Sequence, residues 1–309
     1  MARNTNIETV LFPVGFSDVV VDGRPVAEHR AIVDRERGRV FGVVSRDYRL
    51  ITNEEALSAG RRCFRRLLGI EKELDKLEVF NILMPESRAH CRVDLIREGD
   101  KIVFGGEEYL AFLRVTNSYN KTRVLRFDLG FCRLICENGV IFGKEAVSFT
   151  FCHTNEEIGK EIEFRVRGDK FTKLREVFIS TCNGLTAYPV KREKAVALMA
   201  RALEIKFGLS RKGKVLEKAH EKRDEFRDRG EKLIWKYFRE LGENAYAVFN
   251  ASTDYASNPE EGKSRHLIDT YQRRVGKWAT IFTDQAKAGN FDLDRHIGKY
   301  SGYFAESAA

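Results

Sequence analysis

The fold class turns on one stretch, Tyr109-Leu110-Ala111-Phe112-Leu113-Arg114-Val115-Thr116-Asn117-Ser118-Tyr119-Asn120-Lys121-Thr122-Arg123-Val124-Leu125-Arg126. Leu110, Phe112 and Arg114 alternate with Tyr109, Ala111, Leu113 and Val115, the period of two expected of an extended strand. Asn117 to Lys121 is a cluster of turn formers. Beyond it the chain resumes a β-like run to about residue 135. Two long strands joined by so short a turn are antiparallel. No crossover helix of ten or more residues separates neighbouring strands here, which argues against a doubly wound parallel sheet.

Working outward, the N-terminal half continues in the same manner. Short apolar runs at 10–12, 18–21, 31–34 and 40–44 read as strands, with Arg35-Glu36-Arg37-Gly38 as a hairpin turn. Thr52 or Asn53 then caps a helix, Glu55 completes a capping box, and Gly69 ends the helix after Leu68. Strands are expected at 77–84, 88–97, 109–117, 122–135 and 160–167. Gly105-Gly106 and Glu137-Asn138-Gly139 are expected to be turns between strands. After Gly168 the period changes to 3.6. Helices are expected at 171–185, 190–207, 211–241 with an interruption near Gly230, around Ala245–Thr253, and at 264–288. The expectation is an α+β protein: an antiparallel curved sheet in the N-terminal half packed with helices, then a mostly helical C-terminal half. Residues 1–170 would form a β-rich domain with one early helix, and 171–309 a helical region packing on it.

The 309 residues include 22 Phe and are 43% hydrophobic, so a core can form without disulfide staples. Fifty-four Lys and Arg against 46 Asp and Glu leave a net charge of +8. Residues 191–309 carry +6 of it, with 24 basic and 18 acidic side chains. Such a surplus favours polyanions, although many proteins carry as much without one. No run approaches the ~20 apolar residues of a membrane span, and Met1 to Val10 lacks the pattern of a signal peptide. Cys63, Cys91, Cys132, Cys136, Cys152 and Cys182 are scattered, several inside apolar runs. Buried free thiols in a reducing, cytoplasmic compartment fit this usage.

The chain lacks G-x-x-x-x-G-K-[S/T] and G-x-G-x-x-G, so no nucleotide cofactor is expected. Cys132 and Cys136 on one extended strand would lie ~13 Å apart, too far for one zinc ion, and the six histidines form no ligand pair. Asp94 with Glu98, and Asp292 with Asp294, read as strand-end or turn clusters. No catalytic residue, metal or cofactor is assigned. The basic residues are more suggestive. Arg114, Lys121, Arg123 and Arg126 lie in or beside the long hairpin, with Tyr119 or Tyr109 as a stacking surface. Arg165 and Arg167 fall on the later strand, Arg223 and Arg227 on the charged helix, and Arg273 and Arg274 on the last one. Together they suggest a groove for a nucleic acid, single-stranded DNA foremost. The alternatives are solvated faces laced by ion pairs, a protein-interaction factor acting through 211–240, and a metal-dependent nuclease using carboxylates such as Asp94 and Asp128. Homo-oligomerisation is left open.

Three passages carry a family resemblance. They are Val115-Thr116-Asn117-Ser118-Tyr119 through Cys132-Arg133-Leu134-Ile135-Cys136-Glu137-Asn138-Gly139, Val43 to Asn53, and Tyr246-Ala247-Val248-Phe249-Asn250-Ala251-Ser252-Thr253-Asp254-Tyr255. In order and spacing they resemble the phage/plasmid-like family known as domain of unknown function 932. Ser118-Tyr119 departs from a frequent Ser-His pair, and Asn138-Gly139 from Asn-Thr. The resemblance implies a mobile-element setting, with replication, recombination or host-defence roles, and supplies no catalytic residue.

Overall fold

Asp22 and Gly23 both adopt positive φ, 51° and 75°. That is the geometry of a two-residue hairpin turn whose twist matches its strands. It joins β1 (Val14–Val21) to β2 (Arg24–Asp34). The expected turn at Arg35–Gly38 then leads into β3 (Arg39–Ser45), with Gly38 at φ 64°. The buried Asp34 carboxylate fixes this turn by accepting the Glu36 and Arg37 amides at 3.0 Å each. The three strands form an antiparallel sheet in the order β1-β2-β3. Of residues 10–12, expected as a strand, Val10 instead ends a 3-10 turn at Ile7–Val10 begun by the Asn6 side chain, and Leu11 caps it.

A computed structural model of the chain describes residues 5–70, 77–134, 138–141, 148–151, 158–208, 217–260, 267–289 and 291–305. Helix α1 (Asn53–Leu68) begins and ends where its caps require. Thr52 Oγ1 accepts the Glu55 amide at 3.1 Å, and Gly69 takes the left-handed conformation at φ 70°. The second sheet is built from β4 (Glu78–Leu83), β5 (His90–Phe104), β6 (Glu107–Ser118), β7 (Leu125–Arg133), β8 (Asn138–Val140) and β9 (Ser148–Phe151). Its order is β4-β5-β6-β7-β8, with β9 also pairing β7. Gly105 and Gly106, at φ 59° and 83°, make the expected β5–β6 turn. The fold is α+β with antiparallel curved sheets in the N-terminal half.

One expected strand is a helix. Residues 158–165 form α2 (Ile158–Arg165). Asn138-Gly139, read as part of a turn, lies in β8, while Glu137 falls outside the described residues. The helices that follow are α3 (Asp169–Thr186), α4 (Arg192–Ala202), α5 (Glu217–Leu241), α6 (Ala245–Ser257), α7 (Ile268–Lys287), α8 (Leu293–Ile297) and α9 (Lys299–Ala305). Gly230 does not interrupt α5. It faces α4, where a methyl group built on it would meet Met199 Sδ and Val196 Cγ1 at 3.6 Å.

The chain divides into two compact units that interleave along the sequence rather than meeting at residue 170. The first comprises Met1–Lys101, Leu110–Gly130 and Val147–Leu174; the second, Ile102–Tyr109, Phe131–Ala146 and Arg175–Ala309. In the first, α1 lies on the sheet at Gly60, where an added Cβ would stand 2.4 Å from Val115 Cγ2. In the second, α6 is buried along nearly its whole length among α4, α5, α7 and β8, and its buried Asn250, Ser252, Thr253 and Asp254 each have a hydrogen-bond partner.

Candidate nucleic-acid interface

The first unit gathers basic side chains where β9 joins the start of α3. β9 pairs β7 in the register Arg126↔Thr150, Phe127↔Phe149 and Asp128↔Ser148. The two-residue period buries Phe149 and Phe151 and leaves Ser148 and Thr150 exposed. Helix α2 ends at Arg165, Val166 plugs into the core, and the chain turns through Arg167 into α3. Ser148, Phe149, Arg165, Arg167, Asp169, Lys170 and Lys173 line a cleft of about 440 Å³.

Its cations are positioned by neutral groups as much as by acids. Arg165 Nη1 donates to the Thr150 carbonyl at 2.8 Å and to Glu161 at 3.1 Å, with its guanidinium 5.2 Å from the Phe151 ring centroid. Lys170 Nζ donates to the Arg165 carbonyl at 3.1 Å and lies 4.8 Å from the Phe149 ring centroid. Lys173 pairs with Asp169 at 3.0 Å and holds that carboxyl below its ordinary pKa. On the adjoining strand, Arg126 meets Asp128 at 2.9 Å, and Asp128 also accepts the Ser148 hydroxyl at 2.6 Å. Arg167 is exposed, and among the described residues no carboxylate pairs with it. Among the described residues, these five cations pair with three carboxylates, Asp128, Glu161 and Asp169.

Arg126, Arg165 and Arg167 are therefore brought together, Arg165 from a helix rather than the expected strand. Lys170 and Lys173 escaped the sequence reading, although four basic residues within 165–173 were a visible local density. Two expected site residues are corrected outright. Arg114 is 1% exposed and grips Asp94 through Nε and Nη2 at 2.7 and 2.8 Å. Tyr119 is 1% exposed, stacks on Phe41 at 5.3 Å, and its hydroxyl accepts the Asn53 amide at 2.8 Å. Burial drives its hydroxyl pKa far up. Neither side chain reaches a ligand. Tyr109, the other stacking candidate, is buried against Phe178 and Tyr246.

The remaining expected residues have other settings. Lys121 is exposed in the turn after β6, at φ 58°, with its ammonium 5.8 Å from the Tyr48 ring. Arg123 is half-buried and, after burial itself, helps lower the pKa of His90. Four lie in the second unit, each with a carboxylate. Arg223 binds Asp224 at 2.9 Å, and Arg227 stands 3.6 Å from Asp224 and 3.7 Å from Asp228. Arg273 meets Asp269 at 3.2 Å. Arg274 meets Glu204 at 3.4 Å and donates to the Leu203 and Glu204 carbonyls beyond α4.

The nuclease reading finds no cluster of acids. Arg114 occupies Asp94, Arg126 and Ser148 occupy Asp128, and Asp292 caps α8 through the Asp294 and Arg295 amides. Among the described residues, no three of His, Cys, Asp and Glu come close enough to hold a metal. Cys136, Cys152 and His153 lie outside the described residues. No described helix is long and apolar enough to cross a membrane.

The sequence model of the family described as domain of unknown function (DUF932) matches residues 40–279. The chain belongs to that family. No curated protein matches the chain, and neither does any solved structure. Two of the passages that carry the family resemblance, 115–139 and 246–255, are mainly core in their described residues. Asn250 to Asp254 are buried in α6. Asp254 accepts from Tyr237 at 2.8 Å and from Lys236 at 3.0 Å, while Asn138 donates to the Tyr237 hydroxyl at 2.9 Å. Asn258 closes this network by donating to Asn138 and Asp254, each at 3.0 Å. In this family member those residues tie β8 to α5 and α6, and the cleft at 148–173 is a separate feature.

Proposed function

We propose that this protein binds a single-stranded nucleic acid, DNA foremost, through its backbone phosphates. The observation that carries the reading is the cleft of Arg165, Arg167, Lys170 and Lys173, flanked by Arg126, where among the described residues cations outnumber the carboxylates paired with them. A recessed site suits a flexible strand, which bends its phosphates inward; a rigid duplex meets it only at a tangent. Tyr119 and Tyr109 are buried, so neither serves as a stacking platform beside these cations. Binding through phosphates alone is indifferent to base sequence. Protecting or annealing strands of a mobile element in a reducing cytoplasm is the role that agrees with this chemistry. The buried thiols of Cys63, Cys91 and Cys182, in no disulfide, agree with such a compartment.

The test is titration of a labelled single-stranded oligonucleotide at two salt concentrations. Affinity falls as salt rises, because each neutralised phosphate releases counterions. Replacing both Arg167 and Lys173 by Ala weakens binding and lowers the slope of log K against log salt by about 1.4, roughly 0.7 per lost contact. Absence of binding at low salt, or affinity indifferent to both substitutions, overturns the reading. A protein partner has one observation of its own, the 49% exposed Trp235 on α5 with Arg192 4.4 Å from its ring centroid. A stoichiometric complex with protein that survives nuclease would favour that second reading.

A further inference from the structure

The three-stranded sheet carries another basic cleft, of about 600 Å³, independent of the one at 148–173 in its residues and in its reading. Phe16 and Asp18 on β1, Pro25 and Arg30 on β2, Arg35 in the following turn and Arg46 after β3 contribute to its walls. Of these only Arg46 falls within the residues matched by the family model.

Each of the three arginines is anchored on a backbone carbonyl, a neutral acceptor. Arg30 Nη2 donates to Tyr48 O at 2.7 Å, Arg46 Nη1 to Ala27 O at 2.9 Å, and Arg35 Nη2 to Phe16 O. None forms an ion pair with a carboxylate among the described residues. Asp18, opposite Arg30 in the β1–β2 ladder, is the one acid in the lining among the described residues. The Arg30 guanidinium sits 3.5 Å over the Phe16 ring, and its buried Nε has no acceptor. This differs from Arg114, Arg126 and Arg133, each of which meets a carboxylate. A carbonyl orients a guanidinium without cancelling its charge, so the cleft holds three aimed positive charges against one negative.

We infer that this cleft binds a phosphate monoester. A surplus of two positive charges matches a phosphomonoester dianion, and guanidinium forks match its oxygens. Phe16 and Pro25 offer an apolar wall to the organic part. A free nucleotide and the 5′-terminal phosphate of a strand share this chemistry, whereas an internal phosphodiester carries only one charge.

Calorimetric titration with adenosine 5′-monophosphate, inorganic phosphate and adenosine tests the assignment, alongside an oligonucleotide with and without a 5′-phosphate. Adenosine monophosphate or the 5′-phosphorylated strand is expected to bind, and adenosine not. Arg35→Gln and Arg46→Gln should each weaken binding roughly tenfold or more, the usual loss for a charge-assisted hydrogen bond. Arg46→Lys, with charge but no fork, should restore only part. Arg35 and Arg46 are exposed, so unchanged melting temperatures without ligand will show that the variants fold. Arg167→Gln should leave monophosphate binding intact while weakening strand binding, which separates this site from the other cleft. Preference for the 5′-phosphorylated strand, lost in Arg46→Gln, identifies the strand end as the ligand; monophosphate binding without that preference identifies a free ester. If neither ligand binds, or if binding ignores Arg35→Gln and Arg46→Gln, the inference is overturned.

Discussion

Arg114 and Asp94 show how little a single charged residue discloses about its surroundings. Alternation along β6 separates two faces, and a strand with one wet face would expose an arginine on it. In β6 nearly every residue is buried, on both faces. The guanidinium is held there by Asp94, with side-chain exposures of 2% and 7%. Removing one partner of such a pair strands the other charge, at a cost of about 3–5 kcal/mol. Arg114→Met should lower stability by that amount in urea unfolding, and adding Asp94→Leu should recover most of the loss. A loss below about 1 kcal/mol for the single variant would mean that water reaches Asp94.

Among the elements, α1 was legible because its signals are local. Thr52, Glu55 and Gly69 satisfy backbone groups within a few residues of themselves. Thr52→Ala removes the acceptor for the Glu55 amide and should cost about 1 kcal/mol. The denaturant midpoint should shift with an unchanged m-value; an unshifted midpoint would show that the cap carries no net stability. Helix α2 was misread because its apolar residues satisfy two periods. Ile162, Phe164 and Val166 alternate as in a strand, while Ile158, Ile162 and Val166 recur every four residues and are buried. The choice of helix puts Arg165 at a helix end, where Thr150 and Glu161 hold it.

For the molecule as a whole, acid should act on the second unit through His296. The imidazole Nε2 accepts the Trp278 indole N–H at 3.1 Å, so it is held neutral, and burial, then Arg201, lowers its pKa to about 4. The unfolded chain takes up this proton near pH 6.5. Between those values the unfolded state binds more protons, so this contribution is complete above pH 6.5 and is lost as pH falls toward 4. Thermal melting of wild type and His296→Gln across that interval should show the steeper decline in wild type. Parallel profiles would mean that the imidazole titrates equally in both states.

The string of residues was enough for the fold class, the turns at Arg35–Gly38 and Gly105-Gly106, the caps of α1 and the family, because periodicity and capping act between near neighbours. It was also enough to show an excess of basic residues. Which cations keep their charge was settled by packing. Arg114 meets Asp94 from twenty residues away, Arg133 meets Glu240 from 107, whereas among the described residues Arg30, Arg35 and Arg46 are held by carbonyls and pair with no carboxylate. Neutralisation depends on distance through space, and only the folded chain sets that distance.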